Sequence, residues 1–224
     1  MKAEVFFIPL LFGFFLTTIC GCEKENYEKE QFIDSRDGNV YRTIKIGNQE
    51  WMAENLKFLP NLVHPGTQSR ILPCYYLYEY YGVDISEAKL TDNYNNYGVL
   101  YNWVAAIEAC PKGWHLPRYA EWMKLVNYLG GENKAGSKLK KTGTSYWEKP
   151  NTGANDDVRF TALPGGIYQM NGIFSYMGYY GYWWIAAEVN DIFAWYLNMS
   201  YDRQQINTDY KRKESGYSIR CVRD

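Results

Sequence analysis

The chain has 224 residues and a formal net charge of −1, with 24 Lys and Arg against 25 Asp and Glu, so it lacks the basic footprint of a nucleic-acid-binding protein. Its length fits one domain once a leader is removed, and a hydrophobic content of 46% is enough to bury a core. The unusual figure is 18% aromatic residues, with 22 Tyr and 8 Trp, whose apolar rings and polar tips suit a core or a wet binding surface equally.

Met1 and Lys2 precede an apolar run from Val5 to Ile19, broken by Pro9 and Gly13 and too short for a comfortable membrane span. Ile19-Cys20-Gly21-Cys22 sets an aliphatic and two small residues before a cysteine, and it resembles the bacterial lipoprotein cleavage box. The resemblance implies a signal peptide over 1–21 and diacylglycerol on the Cys22 thiol. Cys20 fits less well, because bulky Ile19 stands where the peptidase needs a small residue. An ordinary signal peptide or an uncleaved anchor is the alternative. Residues 22–31, opening Glu23-Lys24-Glu25, are too charged to fold alone and read as a tether, loosely similar to surface-export signals of Gram-negative lipoproteins. The folded domain is then 32–224, and the address is an outer-membrane lipoprotein at the cell surface or on the periplasmic face.

Asp34-Ser35-Arg36-Asp37-Gly38-Asn39 is a turn, and the runs Val40 to Ile46 and Gln49 to Met52 flank Gly47-Asn48, which predicts a hairpin of type II′. Leu59 to Asn96 has few regular signals and reads as an insertion or functional surface loop. Leu100, Trp103, Val104 and Ile107 give a short helix stopped before Pro111. Trp122, Leu125, Val126 and Leu129 give a second helix after Pro117, closed by Gly130-Gly131 and poorly capped at Arg118. Residues beyond Lys134 read as loop and strand. Ile167 to Met170 and Ile173 to Tyr176 flank Asn171-Gly172, which predicts a hairpin with a type I′ turn.

Gly178 to Glu188 then sets five large aromatics in the six positions after its first glycine. Adjacent aromatics cannot share a helix face, so Tyr182 to Ala186 reads as a central strand filled on both sides. Strands near Ala194 to Met199 and Tyr217 to Val222 complete a largely antiparallel sheet, with a polar loop, Asn207 to Ser215, between them. The class is α+β. Of Cys74, Cys110 and Cys221, an oxidising compartment favours one bridge, and Cys110 with Cys221 is the expected pair because both lie beside dense motifs.

The segments Asp34-Ser35-Arg36-Asp37-Gly38, Ile46 to Leu56, Tyr97 to Trp103, Cys110-Pro111-Lys112-Gly113-Trp114-His115-Leu116-Pro117, Leu163-Pro164-Gly165-Gly166 and Ser218 to Asp224 together resemble the Fibrobacter succinogenes major paralogous domain of Bacteroidetes and Fibrobacteres lipoproteins. The resemblance implies a C-type lectin-like fold: two helices against a twisted, mainly antiparallel sheet, with the Asp34 to Met52 region and the Ser218 to Asp224 strand brought together. It implies no defined activity.

Such a fold suggests calcium-dependent sugar binding, which needs several convergent oxygen ligands. Glu188, Asn190 and Asp191, and Asn155, Asp156 and Asp157, are the nearest clusters, but no Glu-Pro-Asn or Gln-Pro-Asp triplet accompanies them and both read as turns. Oxidases of the formylglycine-generating type share a C-type lectin-like core but use two neighbouring cysteines, and the cysteines here are widely separated. His64 and His115 have no ligand at metal spacing, and no cofactor or metal is expected. Arg220 is expected to pair with Glu188 in the core. Tyr179, Tyr180, Trp195, Tyr196, Tyr201, Asp202, Arg203 and Gln204 form the expected ligand face, with Trp195 and Tyr196 also readable as core. The sequence thus leads to a membrane-anchored, non-enzymatic binding or adhesion module for a glycan or an envelope or host protein. An extracellular enzyme on polysaccharide or protein, or a structural envelope component, is the alternative.

Overall fold

The computed structural model describes Met1 and residues 30–224. The expected signal peptide, the expected lipidation site Cys22 and nearly all of the expected tether lie outside the described residues. The tether's last residues do not behave as expected: Glu30 and Gln31 already belong to strand β1 (Glu30–Ile33), paired antiparallel with β2 (Val40–Ile46). The turn between them closes on Asp34, whose buried carboxylate accepts from the Arg36 amide and side chain. Strand β3 (Gln49–Met52) follows across Gly47-Asn48. Gly47 has φ +61° and Asn48 is not among the positive-φ residues, the sign pattern of the expected type II′ turn.

The long irregular stretch carries only short elements: β4 (Tyr75–Tyr76), α1 (Ile85–Lys89) and α2 (Asp92–Tyr97). Both helices are set by caps rather than periodicity, Asp84 accepting from the Ser86 and Glu87 amides and Thr91 from the Tyr94 amide. Strand β5 (Leu100–Tyr101) pairs with β4 and leads into α3 (Trp103–Ala109), capped by Asn102. After β6 (Trp114–His115) comes α4 (Tyr119–Tyr128), and its start is better held than the sequence suggests, because Glu121 Oε2 accepts from the Arg118 amide at 2.8 Å.

A helix then appears where loop and strand were expected, α5 (Glu132–Leu139). Gly136 lies within it. It signals close packing, since a Cβ there would lie 2.5 Å from the Gln204 carbonyl oxygen, and the Ser137 amide donates to that same oxygen at 3.0 Å. Among the described residues the helices thus number five, against the two expected.

Strands β7 (Gly165–Tyr168) and β8 (Phe174–Met177) form the expected hairpin. Its turn is not type I′, which needs positive φ at two central residues; only Gly172, at φ +80°, has it. The Gly172 amide donates to Gln169 O and the Gln169 amide to Ile173 O, giving a three-residue loop closed by glycine. Strands β9 (Tyr180–Glu188), β10 (Phe193–Ser200) and β11 (Ile206–Arg212) form an antiparallel sheet, so the expected polar loop is mostly an edge strand. The chain ends with β12 (Val222–Arg223), inserted between β3 and β6, so the two ends of the domain share one five-stranded sheet. The architecture is α+β with a curled antiparallel sheet and few helices. No helix among the described residues is long and apolar enough to cross a membrane.

Strand β9 is the expected central element. One edge pairs with β10, and the other meets the C-terminal segment, where the Trp184 amide donates to Ser218 O and the Ser218 amide to Tyr182 O. Its alternation divides the core. Trp183 and Ile185 pack with Trp51, Trp122, Phe160 and Leu197, whereas Trp184 packs with Tyr101, Trp103, Tyr196 and Tyr217. The disulfide is the expected Cys110–Cys221, tying the end of α3 to the C-terminal segment across 111 positions of sequence. Cys74 is free and buried.

The expected Arg220–Glu188 pair does not form. Glu188 lies at the exposed end of β9 and accepts from Lys213 Nζ at 2.9 Å and Trp103 Nε1 at 3.0 Å. Arg220 is buried over the Phe160 ring, and its guanidinium donates to Asn55 Oδ1 and to the carbonyls of Met52, Phe160 and Thr161. The physical reason is register: Ser218 meets β9 at Trp183, so Arg220 is directed to the tryptophan side while Glu188 lies further along the strand. Asn55 joins these parts, its Oδ1 accepting from Trp183 Nε1 at 2.9 Å and Arg220 Nη2 at 3.0 Å, and its Nδ2 donating to Tyr97 O at 2.9 Å and Ser218 Oγ at 3.3 Å.

Replacing Asn55 by Leu leaves a buried guanidinium and a buried indole N–H short of an acceptor, and is expected to cost about 3–5 kcal/mol. Asn55→Asp keeps the acceptor and loses the donors, so its loss is smaller. Urea unfolding followed by tryptophan fluorescence checks both; an Asn55→Leu loss below about 1 kcal/mol contradicts the hub.

Candidate functional site

Strand alternation sets Tyr180, Tyr182 and Trp184 on one face of β9, opposite Tyr196 of β10. Trp184 is in the core, and the tyrosines continue its surface outward. Tyr182 lies nearly parallel to Tyr217 at 5.3 Å and to Tyr180 at 5.7 Å, and Tyr176 meets Tyr180 edge-on at 5.6 Å. With Ile167, Gln169, Tyr196 and Lys211 these rings line a groove of about 300 Å³. A second hollow of about 490 Å³ adjoins it, sharing Gln169 and Lys211 and bounded by Phe193, Tyr210, Arg212 and Ser215.

The floor is polar at its phenol tips but holds no ready charge. Burial raises the phenols of Tyr182 and Tyr217 well above their ordinary value. Tyr196 is pushed up to about 12, by burial first and by Asp209, whose carboxylate lies 3.4 Å from its hydroxyl. Gln169 is held by donation to Ser175 Oγ at 2.8 Å.

The expected ligand face is not contiguous. Of its members the groove contains Tyr180 and Tyr196. Tyr179 packs against Tyr201 at 5.2 Å on another corner, where Arg203 and Asp202 form a loose ion pair at 3.9 Å. Gln204 lies in that corner too, its side chain against Gly153. Trp195 points to the other side of β10, against Tyr119 and Tyr210 and the second core cluster. Gln169, Tyr176, Lys211 and Tyr217 were missed, and Tyr182 was assigned to the core alone. Tyr180 and Tyr182 at spacing two carried a signal for a shared face, but the hairpin and C-terminal tyrosines arrive through tertiary contacts.

The acidic clusters act on their own backbone. Asn190 Oδ1 accepts from the Ile192 and Phe193 amides, and Asp156 accepts from the Thr161 amide and hydroxyl. Among the described residues no group of three or more His, Cys, Asp or Glu is arranged to hold a metal. His115 is less isolated than its sequence neighbours suggest, with Asp224 Oδ1 2.6 Å from Nδ1 and Glu121 Oε1 2.8 Å from Nε2. Asp224 arrives by the pairing of β12 with β6, which sequence spacing does not show. This cluster borders a larger hollow of about 910 Å³ across β2, β3 and α4. That hollow mixes both signs of charge, Arg223 and Glu50 pairing at 3.0 Å, and it lacks a ring platform.

Because Tyr101, Tyr182, Tyr196 and Tyr217 have raised folded-state values, their contribution to stability is full below the unfolded phenol value near pH ~10 and is lost as pH rises above it. Absorbance at 295 nm is expected to show these phenols ionising only together with cooperative unfolding, read in parallel by circular dichroism. Ionisation of every tyrosine in a chain that stays folded contradicts this account.

No curated protein sequence and no solved structure matches the chain. The profile of the Fibrobacter succinogenes major domain (Fib_succ_major) matches residues 44–223, which include the central strand, both disulfide cysteines and all of the groove's lining residues. The chain therefore belongs to the Fibrobacter succinogenes major domain family.

Proposed function

We propose that this chain is a non-enzymatic binding module, displayed by an envelope lipoprotein, that takes a glycan along the tyrosine groove. The observation that carries this reading is the run of near-parallel Tyr180, Tyr182 and Tyr217 rings beneath an open groove. Pyranose rings present C–H faces that stack on such rings, while their hydroxyls meet the phenol tips and Gln169. The C-type lectin-like architecture belongs to the same proposal. It is supported by the joined chain ends and by the family resemblance. The membrane anchor rests on the Cys22 box, with the cell surface as the favoured side and the periplasmic face as the alternative.

The test is a glycan array probed with the full chain, with calcium and with EDTA. Binding independent of calcium is expected, falling about fivefold in Tyr180→Ala and Tyr176→Ala, in line with ~1 kcal/mol for each aromatic contact. Trp195→Ala, on the other side of the strand, is expected to leave binding within about twofold. Failure to bind any glycan, or binding indifferent to both tyrosine variants, counts against the groove and shifts weight to a protein partner.

A further inference from the structure

We infer that the groove selects an acidic glycan, with Lys211 receiving the carboxylate or sulfate of a sugar stacked on the tyrosines. The inference rests on the glycan reading above and specifies its ligand class. Lys211 stands out by comparison with its neighbours on the chain. Arg212 is matched by Glu214 at 3.4 Å and Lys213 by Glu188 at 2.9 Å. The Lys211 ammonium has no carboxylate within 4.0 Å among the described residues, yet it lines both the tyrosine groove and the adjoining hollow. The nearest acid on its face of β11, Asp209, directs one oxygen to the Tyr196 hydroxyl and the other to the Tyr210 amide.

A second, independent observation lies at the far end of the hollow. Ser215 is 1% exposed and lines the hollow, and its hydroxyl oxygen has no hydrogen-bond partner among the described residues. Arg212 Nε, on the same wall, is likewise buried without an acceptor. Buried polar atoms of this kind are uncommon and call for a partner. The two hollows, about 300 and 490 Å³, share Gln169 and Lys211 and fall within the size range of small-molecule sites, so one oligosaccharide can span them. Its requirements follow from the walls: a ring face for Tyr180 and Tyr182, an anion for Lys211, and an acceptor or hydroxyl for Arg212 and Ser215. A uronic-acid or sulfated oligosaccharide meets all three. An acidic peptide meets the charge but lacks the flat C–H faces that a near-parallel ring platform rewards.

The test is calorimetric titration of the full chain with an oligogalacturonate, with the same oligosaccharide fully methyl-esterified, and with a poly-glutamate peptide of equal charge. The free acid is expected to bind about tenfold more tightly than the ester, with the advantage shrinking as salt is raised. Lys211→Gln is expected to bring acid binding down to the level of the ester, whereas Tyr180→Ala weakens acid and ester alike. Equal binding of acid and ester, or a preference that survives Lys211→Gln, overturns the acidic selection and leaves the glycan groove standing. Poly-glutamate binding as tightly as the oligosaccharide overturns the glycan class in favour of an acidic protein segment. Binding of neither acid nor ester overturns this inference, while the groove itself stands or falls with the glycan array.

Discussion

The fold is tied together at one carboxamide. Asn55 uses both lone-pair directions of its oxygen and both amide hydrogens, so the loop after β3, the central strand, the C-terminal segment and the end of α2 meet at a side chain whose every hydrogen-bonding site is used. The centre also makes the burial of Arg220 tolerable. A buried guanidinium without acceptors is costly, and here Asn55 and backbone carbonyls surround it while the Phe160 ring lies against its face. Glu188 is not among its partners, and most of the acceptors of the guanidinium are backbone carbonyls.

The same strand that donates Trp183 to this centre also positions the groove. Tyr180, Tyr182 and Trp184 form a single row on the other face of β9, passing from the open surface to the fully buried core. The groove is therefore the outer end of the first core cluster, continuous with it through Tyr196 and Tyr217. Such continuity favours a preformed site, because ring orientations are fixed by packing before any ligand arrives and little ordering cost remains. It also couples stability to the proposed binding, since Tyr217 is at once a wall of the groove and a support for Trp184.

Local chemistry was legible in the sequence and long-range convergence was not. Gly47-Asn48 fixes its hairpin through backbone preference, the apolar spacing from Trp122 to Leu129 fixes α4, and the aromatic run fixes β9 as a buried strand. The Cys110–Cys221 bridge followed from the cysteines' motif neighbours. In α5 the glycine is there to let the 204–205 backbone approach, a requirement invisible without the partner, and the residues beyond Lys134 read as loop and strand. Trp195 and Tyr196 are neighbours in sequence and point to opposite faces, so grouping them by proximity joined two separate surfaces. Arg220 was rightly identified as buried, but its acceptors are mostly backbone oxygens, which carry no residue signature.

Strand β11 brings two constraints onto the same residues. It is the edge of its sheet, and edges stay unpaired more safely when they carry charge, which by itself accounts for Asp209, Lys211 and Arg212. Edge protection, however, needs only charge at the rim and does not specify a face. Lys211 is placed on the tyrosine side of the sheet by alternation with Tyr210, which turns toward Phe193 and Trp195. A charge serving only to guard the edge gains nothing from that side or from lacking a counter-ion while Arg212 and Lys213 have theirs. The alternation that divides the core at β9 thus also decides, two strands away, which charge faces the groove and which does not.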